Sequence, residues 1–131
     1  MTSAYKALSL ERLREWADLM RSIQKSELDM DDWVSPEDGT CGTAACAAGH
    51  ACRHPAFKFS GLWLSPSIST LCARTPAFNN KQGYFAITAF FGIKEEQAHY
   101  ICQRSRYDKD PTPEDVARRI EQVIAQIEGD R

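Results

Sequence analysis

The stretch TAACAAGHACRHP, residues 43–55, constrains the fold more than any other part of the chain. Alanine has the strongest helix propensity, and the alanines here outweigh the unfavourable contribution of Gly49. Thr43 can cap the helix start by accepting a backbone N–H, and Pro55 can stop it. Between them the side chains are almost all Ala, Gly or Cys, so no charged face opposes an apolar one. A helix of this kind suits the middle of a bundle, where its smooth surface lets neighbours approach closely.

The flanking segments supply those neighbours. In SLERLREWADLMRSIQ, Leu10, Leu13, Trp16, Met20 and Ile23 recur at the spacing of one helix face, with Ser9 as an N-cap. QGYFAITAFFGIKEEQAHYICQRS reads as two helices. The first ends at Gly92, which suits the left-handed C-terminal position. The second starts near Lys94, with Glu95 and Glu96 where the helix dipole favours acids. TPEDVARRIEQVIAQI has Thr112 at the N-cap and Pro113 at the first helical position. Its stripe is Val116, Ile120, Val123, Ile124 and Ile127. The alternation of Phe57, Phe59, Leu62 and Leu64 fits a short hairpin near residues 57–64 or an irregular loop, and TPAFNNKQG reads as a turn-rich link. The expected fold is mainly α: a compact bundle of about five helices around the Ala-rich helix, with one short β-hairpin, in a single domain over residues 1–131.

Composition narrows the class. Hydrophobic residues make up 43% of 131 residues, enough for a packed core. Apolar runs are short, so no membrane span is expected, and the N-terminus lacks the pattern of a signal peptide. The formal charge of -2 argues against gripping nucleic acid mainly through its phosphates. Five cysteines without an export signal suit a reduced, cytoplasmic setting. The acids Asp29, Asp31 and Asp32 lack the glycine and glutamate of a calcium loop and read as solvated.

Three blocks together, DMDDW at 29–33, CGTAACAAGHA at 41–51 and FFGIKEEQAHYI at 90–101, carry a resemblance, closed by the TPEDVARRIEQVI helix. The chain resembles a family of small proteins of tailed bacteriophages, prophages and bacterial genomes with a CGTxxCxAGxA motif. The pattern covers about residues 29–127. Here His50 stands where the family has Trp or His, and Phe91 and Ile93 stand where leucines are commoner. The resemblance implies a phage or mobile-element context and supplies no mechanism.

The thiols and imidazoles allow three readings. In the first, Cys41, Gly42, Thr43, Cys46 and Gly49 are a structural motif: Gly42 and Thr43 set the turn and cap, Cys46 is a small buried side chain, and Gly49 permits close packing. In the second, Cys41 is a nucleophile, because a thiolate at a helix start is stabilised by the dipole. TCGTAAC resembles the Cys-Gly-x-Ala helix start of papain-like peptidases, which implies His99 as base and Asp108 or Asp110, with Asp110 preferred, as its orienting group. In the third, Cys46, His50 and His54 share a helical face at i, i+4 and i+8 and bind zinc.

The structural reading is the one that needs no coincidence. It makes the chain a small cytosolic interaction or regulatory protein, possessing no catalytic activity or cofactor and modulating a host protein. Trp33, Phe57, Phe59 and Trp63 are then the candidate interface residues, since aromatics dominate binding hot spots. A protein partner is expected; nucleic acid and membrane are not. Arg104, Arg106 and Lys109 beside Tyr100 and Tyr107 form a basic-aromatic cluster, which a solvated helix end explains as well as phosphate binding does.

Overall fold

The computed structural model describes residues 3–28, 30, 46–66 and 74–129. Among them are six α-helices and a three-stranded antiparallel sheet. Helices α1 (Ser3–Ser22) and α6 (Pro113–Gly129) pair along their lengths. Between and beside them lie α2 (Ala47–Arg53), α3 (Pro55–Phe59), α4 (Tyr84–Phe91) and α5 (Glu95–Cys102). Strands β1 (Trp63–Pro66), β2 (Arg74–Phe78) and β3 (Lys81–Gln82) run in that order across the sheet. The mainly helical bundle with a small β element matches the expectation, with one helix more than the five counted from the sequence.

The centre is built as the small side chains dictate. Every residue from Ala47 to Cys52 in α2 is buried. Trp16 of α1 stacks on Phe91 of α4, with centroids 4.2 Å apart, and its indole N–H donates to the Ala47 carbonyl at 3.0 Å. Phe57, Phe90 and Phe91 pack edge-to-face around this pair, the geometry that ring quadrupoles favour. Val116, Ile120 and Val123 of α6 close the far side.

Several boundaries differ from the sequence reading, each for a local reason. The first helix starts at Ser3, so Ser9 is an interior residue rather than a cap. Ser9 is buried because it packs against Gly92, where φ is +66° and an added Cβ would run into the serine hydroxyl. Gly92 is thus required twice, by backbone conformation and by close approach. The Ala-rich helix begins at Ala47 with Cys46 as N-cap, its sulfur accepting the Gly49 N–H at 3.4 Å. The Thr43 cap expectation falls outside the described residues. Pro55 ends α2 and also opens α3, because its fixed φ and missing N–H suit a first helical position. Residues 57–59 are therefore helical. The hairpin lies further on, pairing Trp63 with Ala77 and Leu64 with Pro76, and the supposed link TPAFNNKQG supplies most of β2 and all of β3.

The later elements follow their signals. Gly92 closes α4 in the left-handed region, and Lys94 opens α5 with its N–H bonded to Gln97 Oε1 at 2.8 Å. Thr112 and Asp115 cap α6 reciprocally, side chain to backbone, at 3.1 and 2.9 Å. Arg21 bridges from α1 to Glu114 and Glu121, both at 2.8 Å. Bonding to Arg21 holds both carboxyls below their ordinary range.

Candidate functional site

The residues proposed for zinc do not share a ligand position. Cys46 caps α2. His50 Nε2 lies 2.6 Å from the Glu27 carbonyl oxygen, which can only accept, so Nε2 carries the proton and donates. His54 sits at the α2–α3 junction, its Nε2 3.4 Å from Glu15 and its ring edge-on to Phe57. No group of three His, Cys, Asp or Glu among the described residues converges on a metal position. The i, i+4, i+8 spacing put three donors on one face, but Cys46 turns back onto its own helix while His50 and His54 are drawn to Glu27 and Glu15.

Of the catalytic alternative, Cys41 lies outside the described residues, as do Gly42, Thr43 and the interface candidate Trp33. His99 and Asp110 are described and do not pair. His99 Nε2 faces Glu95 Oε1 at 3.4 Å, one turn back on the same helix, and its ring lies against Tyr84 with centroids 4.3 Å apart. Its Nδ1 is buried without a hydrogen-bond partner. Asp110 is instead beside Arg104 at 3.5 Å. The orienting role assigned to Asp110 is therefore corrected: the carboxylate on His99 is Glu95. Tandem order along the chain suggested Asp110, whereas the helix places the i−4 residue on the same face.

The described thiols are Cys46, Cys52 and Cys102, all buried. Burial pushes the Cys52 and Cys102 thiols well above their ordinary range, and neighbouring thiols add to the effect. These two side chains stay protonated and behave as small apolar groups. Tyr84 nearby is raised to about 12, again chiefly by burial.

The arginines and tyrosines of the basic-aromatic cluster are partnered within the fold. Arg104 also donates to the Tyr107 carbonyl at 3.1 Å, and Arg106 bonds Glu96 at 2.5 Å. Tyr107 is buried and its hydroxyl donates to the Ile101 carbonyl. Arg119 of α6 lies over the Tyr107 ring at 3.5 Å and the Tyr100 ring at 4.3 Å. These cations and rings tie α5 to α6, which accounts for most of the cluster without a phosphate.

The aromatic interface candidates divide sharply. Phe57 is 2% exposed and belongs to the core, which corrects its assignment as a surface residue. Phe59 is 94% exposed and Trp63 48%. Phe85, which sequence reasoning did not single out, is 63% exposed. It lies one position off the Ala86, Ile87, Phe90 and Phe91 face of α4, so an apolar-rich helix hid an outward ring.

Trp63, Ala77 and Gln82 form a cross-strand row, so their side chains share one face of the sheet. Leu64 and Phe78 point to the other face and pack on the core. On the outer face a shallow open trough of about 600 Å³ runs between Trp63 and Phe85.

No helix among the described residues is long and apolar enough to cross a membrane. The chain matches no protein-family model, no curated protein and no solved structure.

Proposed function

We propose that this chain is a small interaction or regulatory protein of phage or mobile-element type, working in the cytoplasm on a host protein without catalysis of its own. The observation that carries this reading is the exposure of Phe59, Trp63 and Phe85, while Trp16, Phe57, Phe90 and Phe91 are buried. Exposed aromatics are worth most when a partner covers them, and Trp is among the strongest hot-spot residues. The protonated state of Cys52 and Cys102 also suits a scaffold.

The test is capture from a bacterial host lysate by wild-type chain and by a Phe59→Ala/Trp63→Ala variant. A partner retained by the first and lost by the second, with cross-links mapping to residues 59–63, is the expected result. Equal capture by both would count against the reading.

A second reading keeps the cysteine hydrolase. It is favoured by the state of His99, with a carboxylate at one ring nitrogen and no partner at the other. A base in that state suits a thiol supplied by Cys41. Fast, pH-dependent alkylation of one thiol, mapped to Cys41 and slowed by His99→Ala, would favour it over the interaction reading. Uniformly slow alkylation rejects it.

A further inference from the structure

We propose that the trough on the outer face of the sheet binds a nucleotide, with the base held between Trp63 and Phe85 and the phosphate by Lys81. The proposal shares Trp63 and Phe85 with the protein-interaction reading but not Phe59, which does not line the trough.

The middle of the Trp63–Ala77–Gln82 row is the smallest side chain, so the sheet face is hollow where Ala77 forms the floor. Trp63 rises from β1 on one side, and Phe85 from the first turn of α4 on the other. Two half-exposed rings flanking an apolar floor offer a planar ligand stacking surface, and every base has a face to stack.

The rim supplies the polar chemistry. Asn79 and Asn80 form the β2–β3 turn, and Gln82 ends the row, so three carboxamides border the trough. Carboxamides pair with the donor and acceptor edges of bases, as Asn and Gln do with adenine. Asn79 has φ +56°, in the left-handed region that asparagine enters more readily than most other non-glycine residues.

Charge complementarity selects the occupant. Among the described residues lining the trough, Lys81 carries the sole charge and no carboxylate is present, although the whole chain is net negative. One ammonium without an opposing acid suits one phosphate. Lys, Ser and Ala are depleted at the cores of protein–protein interfaces, yet all three line this trough. The absence of excess positive charge in the chain weighs against tracking a phosphate backbone. It does not weigh against one ring and one phosphate.

The test is an NMR titration of the full chain with adenosine monophosphate, and separately with a single-stranded oligodeoxyadenylate. The expected result is saturable shifts of the Trp63 indole and the Asn79, Asn80 and Gln82 side-chain amides. Trp63→Ala or Phe85→Ala should each weaken binding about tenfold, within the range of base stacking on an aromatic. Lys81→Gln should weaken binding of both ligands and, for the oligomer, reduce the log–log salt slope by about 0.7, that of a single strand phosphate. Phe59→Ala should change nothing. Equal affinity for the mononucleotide and the oligomer identifies a free nucleotide; tighter binding of the oligomer identifies a strand end, and both support the site. Three outcomes overturn the proposal: no saturation below about 10 mM, far weaker than the millimolar affinity of roughly 4 kcal/mol; ribose phosphate shifting the same signals as strongly; or a host protein covering Trp63 where nucleotides do not. Unchanged core resonances in each variant show that the fold is intact.

Discussion

Two corners of this molecule use aromatic side chains for opposite ends. Around α2 the rings of Trp16, Phe57, Phe90 and Phe91 are stacked or edge-on and shut away from water. On α3, β1 and α4 the rings of Phe59, Trp63 and Phe85 stand in solvent. The difference is one of register. Trp16 falls on the same helical face as Leu13 and Met20, whereas Trp63 is out of step with Leu64, which packs on the core. One position along a strand separates a core residue from a binding candidate.

The comparison breaks first at Trp16. Trp16→Ala removes a stacked ring and its hydrogen bond to the Ala47 carbonyl, and should destabilise the fold by about 3–5 kcal/mol. Trp63→Ala should leave stability within about 0.5 kcal/mol of wild type. Urea unfolding of both variants checks this, and similar losses at the two sites would erase the distinction drawn between the corners.

The junction of α4 and α1 gives the next effect. Gly92→Ala forces a Cβ into the left-handed region, at about 1–2 kcal/mol, and adds a clash with Ser9. Ser9→Gly in the same chain should relieve the clash and leave the backbone part. A double-mutant cycle by urea unfolding reads the coupling, and strict additivity would show that the two residues do not meet.

Legibility in the sequence followed the same divide. Helix termini set by local chemistry could be read directly: Gly92, Lys94, Thr112 and Pro113 act over one turn, whatever packs on them. The burial of α2 was also readable, because only a central helix tolerates so few polar groups. Ser9 was misread because a serine before a helical stripe looks like a cap, and only the approach of Gly92 shows it as buried packing. Phe57 was misread because the alternation with Phe59 mimics a strand, although Pro55 starts a helix there. The sheet trough was invisible, since it depends on pairing β1 with β2 across a turn and on α4 bringing Phe85 alongside. The imidazoles were visible as residues, but their partners Glu27, Glu15 and Glu95 come from folding or from the helix turn behind them.

A third test sets the buried imidazole against the exposed acids. Burial depresses His50 below its ordinary value of 6.5, partly opposed by the hydrogen bond to Glu27 and reinforced by Arg53. The folded state therefore binds fewer protons than the unfolded one as pH falls below that value, and stability declines through that range. Glu114 and Glu121 are depressed by Arg21, so their contribution persists to lower pH and is lost only as they protonate; being exposed, they contribute little. Urea midpoints measured from neutral to mildly acidic pH should fall for wild type and fall less for His50→Gln. Identical slopes would mean that His50 is not held neutral by the fold.

The smallest expected change in stability is at Phe59. At 94% exposure its ring has almost no packing to lose, so Phe59→Ser should shift the unfolding free energy by no more than about 0.5 kcal/mol. It should raise solubility, because an isolated exposed ring is a site for self-association. The same substitution at Phe57, two residues earlier on α3, should destabilise by about 3–5 kcal/mol, since that ring meets Phe90 and Phe91. Unfolding and light scattering on the two variants read both effects. A large loss of stability at Phe59 would mean that its ring is covered by part of the chain, which would remove the surface on which the interaction reading stands.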